Sequence, residues 1–292
     1  MRFSITHTTT YFYSAPARSN MNELRLAPEE NSRQTPGDLR IQLEPGAELK
    51  ESRDLFGNLV HFFEVEDIHD KLVIHAETEV ETHSALSLAE QALTIPLPDL
   101  DNPRSDRGAD DLVKEFVGDS TFVKKNPETW REAVDLLLDC DQTWGGVIKK
   151  LSDHIFDDCT YEEQLVHNMA SSMDVQRDKC GTCQDFSHLF LAYARALNLP
   201  SRYVSGYLYD PGLDSESDAE FIGTGATHAW PEVHVPELGW IGIDPTNKRW
   251  VDDHYVSVSF GRDYHDVAPI RGSLIGGGRD RSLEVAVRVS AR

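Results

Sequence analysis

The segment Lys179-Cys180-Gly181-Thr182-Cys183-Gln184-Asp185-Phe186-Ser187-His188 concentrates reactive side chains next to a helix signal. Thr182 followed three residues later by Asp185 reads as a capping box, with Thr182 as N-cap and Cys183 as the first helical residue. Phe186, Leu189, Phe190, Tyr193, Ala194 and Leu197 then recur at helical spacing and bury the helix. A thiol in that first turn meets unpaired backbone N–H groups and the positive end of the helix dipole. Both stabilise a thiolate. A buried structural cysteine gains nothing from such a position, so the pattern suits a nucleophile.

A nucleophilic thiol needs a base. Thr227-His228-Ala229-Trp230-Pro231-Glu232-Val233-His234 reads as a strand, and Gly239-Trp240-Ile241-Gly242-Ile243-Asp244-Pro245-Thr246 follows after a turn at 236–239. With the turn centred near Pro236, His228 and Asp244 face each other on one side of a hairpin. A carboxylate there fixes the imidazole tautomer and leaves the second ring nitrogen for the thiol.

These three motifs, Gly181-Thr182-Cys183-Gln184-Asp185, His228-Ala229-Trp230 and Trp240-Ile241-Gly242-Ile243-Asp244-Pro245-Thr246, resemble in order those of the transglutaminase-like superfamily. Thr8-Thr9-Thr10-Tyr11-Phe12-Tyr13, Leu24-Arg25-Leu26-Ala27-Pro28 and Asp54-Leu55-Phe56-Gly57-Asn58 resemble the bacterial transglutaminase-like N-terminal region. Gly261-Arg262-Asp263-Tyr264-His265-Asp266-Val267-Ala268-Pro269 and Gly276-Gly277-Gly278 resemble the same bacterial subgroup, so nearly the whole chain is covered. The resemblance implies a papain-like α+β catalytic domain with Cys183 as nucleophile, His228 as base and acid, and Asp244 as orienting carboxylate. It also implies a peptide or protein substrate, acyl transfer through a thioester, and hydrolysis as in a cysteine peptidase ahead of transamidation. The Cys183 N–H is the natural oxyanion donor, with Gln184 a weaker candidate; Trp230 either shields the imidazole or packs the core. Cys180 departs from the family pattern and would permit a reversible disulfide with Cys183.

Three rival readings compete. Cys180 and Cys183 form a Cys-x-x-Cys at a helix start, as in thiol–disulfide oxidoreductases, but 168–178 before them is polar and not strand-like. Cys180, Cys183, His228 and His234 would be a zinc set with no second Cys-x-x-Cys to complete it. A binding module with an inactive site is the third.

The rest of the chain must position these groups. Alternation at Phe3, Ile5 and His7, at Leu39, Ile41 and Leu43, and over 59–65 and 71–82 predicts an N-terminal antiparallel β-sandwich over 1–105. Pro96, Pro98 and Pro103 mark the link out of it. Residues 106–292 read as the α+β catalytic domain. Leu112, Phe116 and Val117, then Trp130, Val134, Leu137 and Leu138, then 146–156, lie at helical spacing. Strands return over 202–209, 226–235 and 240–244, with a polar loop at 210–225 bordering a cleft. Val285, Val287 and Val289 add a last strand.

Across 292 residues the formal charge is −22. Such a surface repels phosphate backbones and anionic lipid, so neither nucleic acid nor a membrane is an expected partner. No Ca²⁺-loop pattern appears, and no metal or cofactor is expected. Four cysteines in this length are not a disulfide framework. With no apolar leader in the first 20 residues, a reducing cytoplasm is the expected compartment. The oligomeric state is left open.

Overall fold

The computed structural model describes residues 1–98, 111–162, 170–214, 219–222, 226–278 and 281–292. Pro103 of the expected linker, and the parts of the 210–225 loop at 215–218 and 223–225, lie outside the described residues. So does Asn168 at the head of the polar stretch before Cys180.

The first layers are β1 (Arg2–Leu24), β2 (Gln34–Pro36), β3 (Arg40–Glu44), β4 (Lys50–Arg53), β5 (Leu59–Val65) and β6 (His69–Thr82). Alternation drives them: along β1, Phe3, Ile5, His7 and Thr9 are buried while their neighbours are less so. β1 is long enough to serve two layers. Its first half pairs with β6 from Arg2 to Phe12, and its second half, from Asn20 to Leu24, pairs with β5. The sandwich is thus one antiparallel sheet curled over a core of Leu24, Leu26, Phe63, Val65, Leu72 and Ile74.

Helices follow: α1 (Leu86–Ala92), α2 (Asp111–Lys114), α3 (Pro127–Leu137) and α4 (Trp144–Asp158). Asn126 caps α3 with Pro127 in the first turn, and Thr143 caps α4. α1 was not expected. Its run of Leu, Ala, Glu and Gln has good helix propensity, and Ala89 and Ala92 pack into the second core, with Trp144 and Leu151. The second core therefore begins before residue 105.

Beyond these lie β7 (Thr160–Tyr161), α5 (Ser172–Asp178), β8 (Cys180–Gly181), α6 (Cys183–Ala196), β9 (Ser201–Leu208), α7 (Pro211–Asp214), β10 (His228–Val235), β11 (Gly239–Asp244), β12 (Arg249–Trp250) and β13 (Tyr255–Gly261). Over 170–179, ahead of Cys180, the described residues hold a capped helix, α5, and no strand. The second sheet runs β12-β11-β10-β9-β13, and α6 lies against it, burying the predicted stripe Phe186, Leu189, Phe190, Tyr193 and Ala194. Arg195, fully buried at the end of α6, donates to the carbonyls of Ser201, Gly118 and Arg262, which pins the helix to three neighbouring segments. No helix among the described residues is long and apolar enough to cross a membrane.

The chain ends with α8 (Tyr264–Val267), β14 (Ile270–Gly276) and β15 (Arg281–Ala291). The sequence places these last strands with the catalytic domain, but they return to the first. β15 pairs with β1 from Phe3 to Tyr13, and β14 pairs with it from Ala17 to Leu24. β1 would otherwise show an open row of N–H and C=O groups along one edge, and the returning strands close it.

The two parts meet on the face of β1 that carries Phe3 and Ile5, which packs with Val80 against Tyr207, Val256 and Val258. His7 continues that seam, 2.9 Å from the Tyr207 hydroxyl. A buried ion pair adds to it. Glu232 on β10 is fully buried and takes Arg33 from the β1–β2 connection and Arg202 from β9. Burial works against its charge, but the two guanidinium groups outweigh burial and hold its pKa down to about 2. The folded form is favoured while Glu232 is ionised, so this stabilisation is present above its ordinary range near 4.5 and disappears as pH falls towards 2. Glu232→Ala should strand two guanidinium groups and cost about 3–5 kcal/mol. Urea unfolding should show that loss at pH 7 and a smaller one at pH 3; equal stability of variant and wild type at pH 7 would refute the assignment.

Candidate active site

Three element ends converge at one end of the strands of the second sheet. Cys183 is the first residue of α6, His228 the first of β10 and Asp244 the last of β11. Because β10 and β11 are antiparallel, the start of one lies beside the end of the other.

The local chemistry of Cys183 matches its sequence signal. Asp185 accepts from the Thr182 N–H and from the Thr182 hydroxyl, both at 2.9 Å. Its other oxygen takes the N–H of Ala170 at 3.1 Å. Gly181 is required here, because a Cβ would stand 2.7 Å from the Asp185 Cβ. Cys183 is 5 % exposed and packs with Val123, Tyr203, Ala229 and Val267. As a first-turn group, its backbone N–H has no acceptor within the helix. Gln184 follows in the same turn, half-buried.

The hairpin register differs from the expected one. β10 pairs with β11 as Glu232 with Gly242 and His234 with Trp240, so the turn is centred at Glu237, whose φ is +68°. Continued, this register sets Asp244 opposite Trp230, two residues along from His228. The slip is two residues and not one, so both side chains still share a face. The ladder itself stops at Glu232, since Pro231 has no N–H to extend it. Asp244 instead pairs with Arg249 of β12 and reaches His228 diagonally.

That reach is short. His228 Nε2 lies 2.7 Å from Asp244 Oδ2, and both side chains are fully buried. Oδ2 also accepts the Tyr255 hydroxyl at 2.8 Å, and Oδ1 accepts the N–H of Thr246 at 2.8 Å. Burial opposes ionisation of Asp244, yet His228, and after it Asn247 and Tyr255, outweigh it and hold its pKa low. Burial likewise opposes a charged His228, but Asp244, and after it the sulfur of Cys183, push its pKa up to about 10. The second ring nitrogen, Nδ1, is buried with no protein hydrogen bond. The ring is thus held on one side by a carboxylate, with Cys183 the other group acting on it. A thiol so placed can attack an electrophilic carbonyl, and the ring can shuttle the proton.

Trp230 is 1 % exposed and lies under the imidazole, with ring centroids 6.1 Å apart, and Tyr255 meets it edge-on at 5.2 Å. It covers the ring and packs the core at once. Gly206 makes room for it, since a Cβ there would come within 2.6 Å of the indole. Tyr255 is a site residue that sequence reasoning missed. It arrives from β13, and no local pattern ties it to Asp244.

Cys180 lies on β8, beside Thr160 of β7 in a two-stranded parallel ladder, and both it and Cys183 are free thiols. Burial first, and Glu162 second, push the Cys180 thiol up, which disfavours the thiolate that a dithiol reductase needs. The rival zinc set does not assemble: His234 lies six residues along β10 from His228, roughly 20 Å at strand rise. His234 packs on Trp240 instead.

Residues 3–81 match the model of the bacterial transglutaminase-like N-terminal region, and residues 139–245 match that of the transglutaminase-like superfamily. The chain is 32 % identical over 315 residues to the uncharacterized protein Rv2569c of Mycobacterium tuberculosis, covering 99 % of this chain and 92 % of that one. It is 30 % identical over 289 residues to ML0607 of Mycobacterium leprae, covering 99 % and 98 %. Among solved structures, the "Putative Cysteine Protease" from Cytophaga hutchinsonii superposes with a TM-score of 0.75 at 20 % identity, covering 99 % of this chain and 90 % of that one, a likeness of fold. Two family models matched in tandem and relatives aligned almost end to end lead to one conclusion: the chain belongs to the transglutaminase-like superfamily and carries the bacterial N-terminal region of that group.

Proposed function

We propose that the protein is a thiol-dependent acyl-transfer enzyme acting on peptide or isopeptide amides, with hydrolysis as its outcome. The observation that carries this reading is the His228 imidazole, fixed by Asp244 at 2.7 Å, with the Cys183 sulfur among the groups that raise its pKa. The Cys183 sulfur attacks the amide carbon, and the C–N bond breaks as His228 gives its proton to the leaving amine. A water, deprotonated by the same ring, then attacks the thioester, releasing the acid and returning the proton to the site. The N–H of Cys183 faces the developing oxyanion from the helix start. Among relatives of the fold, the name given to the Cytophaga hutchinsonii protein supports hydrolysis ahead of transamidation. The acidic surface supports cationic or amine-bearing peptides as substrates, steered by charge.

A peptide and amine library, read by mass spectrometry, separates the two outcomes. Hydrolysis gives a free acid from the acyl half, whereas transamidation gives a new amide with the added amine. Cys183→Ala and His228→Ala should each lower turnover by at least about 10³-fold. Turnover that survives Cys183→Ala would reject the thiol mechanism.

The pH profile follows from the ring. A raised pKa keeps His228 protonated, and able to supply the leaving amine, until pH passes through about 10. Asp244→Asn removes the largest group holding that proton, so the alkaline limb should move down towards the ordinary imidazole range near 6.5. An Asp244→Asn enzyme whose alkaline limb stays at the wild-type position would show that another group sets it.

A further inference from the structure

Asn247 follows Asp244 by three residues and uses every polar atom of its amide on two neighbours. Its Nδ2 donates to Asp244 Oδ2 at 2.8 Å and to the carbonyl of Ile222 at 3.1 Å. Its Oδ1 accepts the N–H of Ile222 at 2.8 Å, and its own backbone N–H reaches Asp244 Oδ1 at 3.3 Å. Ile222 ends a short described segment, 219–222, that lies just ahead of His228 in the chain. The same segment is tied on its other side by Asp210, a buried carboxylate that accepts the N–H groups of Glu220 and Phe221. The Phe221 ring rests on the Arg249 guanidinium, 4.4 Å from its centroid, and Arg249 pairs with Asp244 across the β11–β12 ladder.

We infer that Asn247 is a positioning residue that couples the seating of segment 219–222 to the orientation and charge of Asp244, and through Asp244 to the hold on His228. The inference rests on the proposed roles of Cys183 and His228. A buried carboxylate stays ionised only while donors saturate it. Among the described residues Asp244 has four such partners, and one of them, Asn247, also reaches the segment 219–222. When Ile222 is seated, its two hydrogen bonds fix the amide plane, and that plane aims the Nδ2 proton at Oδ2. Displaced, the segment frees the amide to rotate, and Asp244 loses a donor. The groups facing the ring are Asp244 from β11, Cys183 from α6 and Tyr255 from β13, while Arg249 of β12 is paired with Asp252.

The rate of Cys183 alkylation by iodoacetamide, followed across pH by mass spectrometry of the Cys183 peptide, reads the thiol–imidazole pair without a substrate. It is compared in the wild type, His228→Ala, Asn247→Ala and the near-isosteric Asn247→Leu. At pH 7 both Asn247 variants should react about ten-fold more slowly, the scale of one hydrogen bond to a buried charge. Their profile should move towards that of His228→Ala, and the Ile222 amide should exchange with deuterium faster than in the wild type. Wild-type and His228→Ala rates that coincide would overturn the proposed catalytic pairing. A rate that depends on His228 but is unchanged in both Asn247 variants would overturn the coupling alone. So would a slowing that merely tracks a lowered melting temperature with no change of pH profile.

Discussion

A charged imidazole beside a charged carboxylate, both cut off from water, is costly unless the surrounding dipoles are already in place. His228 and Asp244 are such a pair, and most of what surrounds them meets that cost. Tyr255, Thr246 and Asn247 direct donors at the carboxylate, and Trp230 covers the ring. The pair and these groups together come from β10, β11, β13 and the turn after β11. The pair therefore exists only when the whole second sheet has formed, and its geometry is set by packing in the sheet more than by any single loop.

The sulfur reaches this pair through the end of a helix. α6 is fixed at its start by Asp185 and at its finish by Arg195, with an apolar stripe between them. Fixing both ends of a buried helix leaves it little freedom to slide, so Cys183 is placed to within the tolerance of core packing. The N-terminal sandwich also braces the sheet. Its β1 face packs against β9 and β13, and Arg33 reaches Glu232 on β10, the strand that begins at His228. A domain that contributes no residue to the proposed chemistry thus bears on the strand that positions it.

The fold departs from its sequence reading where pairing is nonlocal. Val285, Val287 and Val289 announce a strand by alternation, but alternation carries no information about which edge the strand will fill. An open edge of β1, more than 250 residues earlier, decided that. α1 does not stand out in the sequence because seven residues give too few turns to show a period, and its buried face is defined by α4 and β11 packed against it. The sequence centres the hairpin turn one residue early for a similar reason. Glu237 adopts a left-handed conformation that its residue type does not announce, while Gly239, which does, lies two residues on.

Local chemistry was legible from the chain alone. The capping box, the glycine before it, the stripe of α6 and the face shared by His228 and Asp244 depend on spacings of a few residues, where backbone geometry leaves few choices. The tertiary structure alone decided which groups surround those residues. Tyr255 on Asp244, Trp230 under the imidazole and the return of β14 and β15 to β1 each join segments whose separation in the sequence has no fixed relation to their distance in space. Such contacts are selected by the burial of whole surfaces, and no local window contains them.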